Sequence, residues 1–238
     1  MTNLFSSETR LYELVWRDSD AGLLVEAWWG REGLNGGFEF LIDCLADDAF
    51  IDPRSLVGKA LGLVVRLPDG SRCSRSGLVR AARRMDADGG FGRYRMTVVP
   101  WIWLLSQASH NRVFQEKTVV EIIDQVFSRY SEHAAWYWSD ETAAFLADAR
   151  PRSYCVQYRE PDFAFVSRLL AEEGLGWCVE EDAEAPARHR VRIFADSLQL
   201  PEDVLSAGDA GSRGIRFHRA DSQEEQDAIV AFGTRQRL

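Results

Sequence analysis

Four histidines, four cysteines and several adjacent acidic pairs are the side chains that could do chemistry in this chain. His110, His133, His189 and His218 stand far apart. None has a second ligand at a spacing such as H-x-x-x-H, which would aim two imidazoles at one metal ion. His133, in the run SEHAAWYW, is the nearest approach to a ligand, and a surface or capped histidine accounts for it. The acidic pairs are Asp47–Asp48, Glu172–Glu173 and Glu180–Glu181. Glycoside cleavage needs two carboxylates facing each other across a cleft, and sequence neighbours do not provide that. Glu172 and Glu173 read as a solvated helix end, and Glu180 to Glu184 as a loop. Trp28-Trp29 and Trp136-Tyr137-Trp138 could stack on sugar rings, but core or interface packing accounts for them, given the area each ring buries. There is no G-x-S-x-G elbow for a nucleophilic serine. There is no glycine-rich phosphate loop either, since Gly89-Gly90-Phe91-Gly92 shares only its composition and falls at a turn. The residues therefore assign no catalytic, cofactor-binding or metal-binding position.

The charge balance is also informative. With 28 basic and 37 acidic residues the chain carries −9, which argues against nucleic acid, whose phosphates call for clustered Lys and Arg. Arg80 to Arg84 (RAARR) is the local exception and reads as the solvated face of a strand. Cys44, Cys73, Cys155 and Cys178 show no C-x-x-C spacing and sit in apolar or strand-like contexts, as reduced thiols do. Cys155 and Cys178 fall in strands flanking one helix and could approach each other, but free thiols are expected. No apolar run is long enough to cross a bilayer. The start, MTNLFSSETR, lacks the basic and apolar parts of a signal peptide, so the expectation is cytoplasmic synthesis and any export without a cleaved signal.

These residues must be held by elements that the pattern makes visible. Short β-rich runs cover 10–16, 23–29 and 37–44, and in the last Phe38, Phe40 and Ile42 alternate with Glu39, Leu41 and Asp43. Strands over 61–67, 72–85 and 92–99, joined by turns at Pro68-Asp69-Gly70-Ser71 and Asp86-Ala87-Asp88-Gly89-Gly90, make an antiparallel meander. Strands at this spacing predict a barrel or sandwich. Beyond Pro100 the character changes. Trp101, Trp103, Leu104 and Leu105 form an apolar knot. Thr118-Val119-Val120-Glu121 matches a capping box, opening a helix to Tyr130 with Val119, Ile122, Ile123, Val126 and Phe127 on one face. A short helix over 140–149 is closed by Pro151. From Ser153 to Val179 the pattern is strand, helix, glycine stop, strand. Pro161 suits the first helical position, Glu160 the cap, and Asp162 the first turn, where its charge meets the helix dipole. Phe163, Val166 and Leu170 form the buried stripe, widened by Phe165 and Leu169, and Gly174 ends the helix. A strand over 190–194, irregular chain over 198–214, and a strand over 215–218 complete the reading. No internal repeat is present.

PWIWLLSQASHNRVFQEKTVVEII (100–123), YCVQYREPDFAFVSRLLAEEGLGW (154–177) and IRFHRADSQEEQDAIVAFGTR (215–235) together resemble the amino-terminal region of VgrG proteins, the spike components of bacterial type VI secretion. The resemblance runs from about Phe5 to the last residue, and departs where Pro161 replaces a frequent Ser. It implies an α+β fold related to the phage tail hub: an antiparallel β-barrel-like domain with packed helices over 1–106, a helix-containing hub domain over 107–214, and a return segment over 215–238 leading toward a second barrel that is incomplete here. It implies a homotrimer that caps a hexameric, Hcp-like tube, contacts baseplate components, and carries effector cargo or adaptors, without nucleic acid or stable membrane insertion. Ending at Leu238, the chain is expected to be a fragment or a shortened relative that trimerises weakly or not at all by itself. A non-catalytic spike module is the function this reading expects. An injected effector enzyme, such as a cell-wall hydrolase, is the alternative, motivated by the acidic pairs and the Trp residues.

Overall fold

Phe38, Phe40, Ile42 and Cys44 point to one side of their strand and are buried, while Glu39, Leu41, Asp43 and Leu45 on the other side are half-buried. This alternation builds the first layer of the protein, seen in a computed structural model that describes residues 11–18, 21–67, 70–85 and 91–201 and the backbone of 216–217 and 228–229. Six strands, β1 (Tyr12–Trp16), β2 (Leu23–Gly33), β3 (Gly37–Ala46), β4 (Ala60–Arg66), β5 (Arg72–Arg84) and β6 (Gly92–Val99), form one antiparallel sheet in the order β1-β4-β5-β6-β3-β2. The meander β4-β5-β6 is the predicted one. The sequence did not reveal that β3, paired with β2 on one side, takes β6 and not β4 as its partner on the other. The sheet curls, and its edge strands approach each other through the rings of Tyr12 and Trp28, edge-on at 6.4 Å, without a hydrogen-bonded ladder between them. Leu23, Phe40, Ile42, Leu61, Leu63, Tyr94 and Met96 fill its interior.

The second layer begins at Pro100 with a helical turn over Trp101–Gln107. It continues through β7 (Ser109–Phe114), α1 (Val119–Phe127) with a further turn Ser128–Tyr130, β8 (Trp136–Trp138), α2 (Asp140–Phe145), β9 (Cys155–Pro161), α3 (Asp162–Glu172), β10 (Gly176–Glu181) and β11 (His189–Phe194). Strand β7 pairs antiparallel with β9, β10 antiparallel with β11, and β11 parallel with β8. The capping box of α1 is formed as predicted: Glu121 N donates to Thr118 Oγ1 at 3.2 Å and Thr118 N donates to Glu121 Oε2 at 2.8 Å. Trp101, Ile122, Ile123, Phe127, Phe165, Leu169 and Ile193 lie at the centre of this layer's core. Arg17, just beyond β1, ties the layers together by donating to the carbonyls of Ala185 and Pro186 in the turn between β10 and β11.

Three local expectations shift. Pro161 is extended (ψ 149°) and ends β9, so α3 starts one residue later, at Asp162. Asp162 N donates to Ala108 O at 3.0 Å, and this bond to the neighbouring segment fixes the boundary. On α3 Phe165 and Leu169 are fully buried, whereas Phe163 is half-buried and meets Trp177 edge-on at 6.2 Å. Glu180 and Glu181 belong to β10 and not to a loop, because the ladder with β11 continues to the pair Glu181 and His189. The helix stop is as expected, with Gly174 at φ +72°. All four cysteines are free thiols.

The chain divides into two compact units, Met1–Ala195 and Asp196–Leu238. In the second, Asp196 caps the turn Ser197–Gln199, and β12 (Arg216–Phe217) runs parallel to β13 (Ala228–Ile229). The rest of the expected 198–214 and 215–218 segments lies outside the described residues beyond Pro201, as do His218 and the turns at Pro68-Asp69 and 86–90.

Candidate functional site

Asp162, expected only to complement a helix dipole, accepts five hydrogen bonds from side chains of neighbouring segments. It has no exposed surface. Its Oδ1 accepts from Gln157 Nε2 at 2.7 Å, His110 Nδ1 at 2.9 Å and Arg112 Nη1 at 3.0 Å. Its Oδ2 accepts from Tyr130 Oη at 2.8 Å and Arg112 Nη2 at 3.1 Å. Strand β7 supplies His110 and Arg112, the turn after α1 supplies Tyr130, β9 supplies Gln157, and α3 supplies the carboxylate. Burial pushes the Asp162 carboxyl toward the neutral form. The hydrogen bonds from Gln157, His110 and Tyr130, with the Arg112 charge, outweigh it and hold its pKa below the usual value. Burial and the adjacent carboxylate push the Tyr130 phenol up. A permanently charged, saturated carboxylate is suited to tying four segments together.

His189 is buried in a different way. Trp101 N–H donates to its Nε2 at 2.9 Å, and its Nδ1–H donates to Ala187 O at 2.8 Å, which fixes the tautomer. Burial lowers its pKa to about 4, so the ring is neutral. His133 is half-buried beside the turn that follows α1. Among the described residues no group of three His, Cys, Asp or Glu side chains could hold a metal ion.

Five of the six carboxylates in the acidic pairs have partners nearby, Glu181 accepting from Ser76 N at 2.7 Å. Arg152 bonds Glu172 and Glu173, each at 2.6 Å, and Arg168 adds Glu172 at 3.1 Å. Glu180 accepts from Tyr137 Oη at 2.9 Å and faces Arg190 and Arg192, each at 3.3 Å. Asp48 caps the backbone N–H of Phe50 at 2.7 Å. Trp136 and Trp138 both donate their indole N–H to Asp124 Oδ1, at 2.6 and 3.0 Å, which turns them inward against α1. Trp29 is 44% exposed and lies under the Arg95 guanidinium, 4.9 Å from the ring centre. The sequence named these residues but could not give their distant partners, such as Arg152 for Glu172 and Glu173 or Arg95 for Trp29.

The curled antiparallel sheet backed by a helical layer is a tail-hub type of fold. A solved type VI secretion component of E. coli, described as similar to the T4 bacteriophage tail proteins gp27 and gp5, shares it at a TM-score of 0.66 and 22% identity, over 80% of this chain and 51% of that one. The chain belongs to the phage tail baseplate hub (GPD) family, whose match covers residues 31–238. Among curated relatives, the type VI secretion system spike protein VgrG1b of Pseudomonas aeruginosa is 36% identical over 71% of this chain and 22% of its own length. The actin cross-linking toxin VgrG1 of Vibrio cholerae is 28% identical over 78% of this chain and 17% of its own length. The chain thus spans about a fifth of the length of these relatives.

Proposed function

We propose that the chain is the hub portion of a type VI secretion spike, a structural module that in the assembled trimer caps a tube of stacked hexameric rings and supports effector delivery. The match to spike proteins along most of the chain carries this reading. Its partners are then an Hcp-like tube protein, baseplate components, and effector cargo or adaptors, and it leaves the cell through the apparatus. The reading assigns the chain no catalysis, and the engagement of His110, His189 and the acidic pairs by neighbouring groups supports it. Residues 1–106 act as the first barrel-like hub domain, 107–214 as the helix-containing one, and 215–238 as the segment returning toward a second barrel. Two clusters of buried side chains speak for two such domains, although Trp101, Ile102 and Leu105 pack in the second cluster, so the cores divide nearer Pro100 than 107.

The test mixes a full-length spike carrying this segment with the hexameric tube protein of the same organism and follows both by size exclusion. Co-elution is expected. Failure to co-elute, together with release of fragments from purified peptidoglycan by the chain, would overturn the reading in favour of an enzyme.

A further inference from the structure

The outward face of the first sheet carries a feature that the hub reading leaves unused. Strand register places Ala81, Thr97, Leu41 and Trp29 side by side across β5, β6, β3 and β2, an apolar strip crossing four strands. Directly beside it runs a charged row, Arg83, Arg95 and Asp43, again in register. Leu41, Ala81, Ala82, Thr97, Arg83 and Arg95 line a groove of about 230 Å³.

The charges in this row do not balance. Asp43 is committed to Arg95, accepting two bonds of 2.6 Å each. Arg83 lies opposite Arg95 on the neighbouring strand, and no carboxylate among the described residues pairs with it. Like charges directly opposite on a sheet are destabilising, and departures of this kind from local rules concentrate at functional positions. Of the neighbouring arginines, Arg80 pairs with Glu39 at 2.7 Å and Arg93 with Glu26 at 2.9 Å, while Arg84 lies over the ring of Phe50, 5.4 Å from its centre. Among the described residues, one groove thus holds a surplus cation beside an apolar floor, in a chain of net charge −9.

We propose that this groove docks an extended acidic segment of a partner protein, with a carboxylate between Arg83 and Arg95 and a small apolar side chain on the floor formed by Leu41 and Ala81. A guanidinium fork facing a carboxylate gives the strong, charge-assisted form of the hydrogen bond, and the apolar strip accepts the alternate side chains of an extended strand. The surplus charge of RAARR is thereby a recognition element and not simply a solvated strand face.

The intact chain is titrated into a fluorescein-labelled decapeptide alternating Glu with Ala and Val, and anisotropy is read. A second peptide carries Gln for every Glu. The Glu peptide is expected to bind, and the Gln peptide and the R83E variant to bind at least about tenfold more weakly. R72Q, at the far end of β5, is expected to match the wild type. R83E replaces a like-charge pair with an opposite one, so its melting temperature should equal or exceed that of the wild type, which shows that the variant folds. The proposal is overturned if the Glu peptide does not bind, if R83E or the Gln peptide binds as tightly, or if a single-stranded oligonucleotide binds more tightly than the Glu peptide through Arg83. None of these results bears on tube capping, which is measured separately.

Discussion

Replacing Asp162 by Asn keeps the shape of the side chain and removes its charge. Of the five bonds the carboxylate accepts, the two from Arg112 suffer most. One amide oxygen can still accept, but the amide nitrogen set against the other Arg112 nitrogen is a donor facing a donor. The Arg112 side chain is 10% exposed and Asp162 not at all, so the guanidinium is left nearly dry and without its counter-charge. Breaking a buried pair from one side costs about 3–5 kcal/mol. At roughly 2–4 °C per kcal/mol for a chain of this size, Asp162→Asn should melt on the order of 10 °C lower by circular dichroism. The double variant D162N/R112M removes both partners and should recover part of that loss. Because the folded-state pKa of Asp162 lies below its unfolded value, its stabilisation is complete above about pH 4 and is lost as the pH falls through the folded pKa. The gap between wild type and D162N should therefore be constant near neutrality and close only in strong acid. A D162N protein within about 1 kcal/mol of wild type at pH 7 would refute the reasoning, as would a gap that closed already at pH 6.

Two further outcomes can be measured on the same protein. His189 is held neutral, with its pKa lowered to about 4, so between about 6.5 and 4 the unfolded chain binds the extra proton and stability falls as the pH drops. The loss is roughly 3 kcal/mol across that window, and urea titrations should show His189→Gln with a flatter pH profile. Thr118→Ala removes one side of the capping box on α1 and should cost about 1 kcal/mol in the same titrations.

Features whose causes are local were readable from sequence. The alternation in Gly37–Ala46, the capping box at Thr118 and the glycine stop at Gly174 each depend on a few consecutive residues, and the structure contains all three. Features whose causes are distant were not. The pairing of β3 with β6 depends on closing a chain loop of some 50 residues. Glu180 and Glu181 look like a loop until Arg190 and Arg192 arrive from the partner strand. Asp162 looks like a dipole residue because its cation lies 50 positions earlier, on another strand. In RAARR the charge was legible. The register that sets Arg83 against Arg95 was not.

His189 has one more consequence. Its ring offers one acceptor to the Trp101 amide and one donor to the Ala187 carbonyl, the same pair of functions that a peptide unit offers. The imidazole is thus used as a piece of main chain spliced between the start of the helical layer and β11. The Trp101 amide sits in a fully buried residue, and its partner lies 88 residues further along. A growing chain that has not yet reached His189 must leave that amide wet or unpaired, so closing the turn at Trp101 over its core before then carries the cost of an unsatisfied donor, about 1–3 kcal/mol.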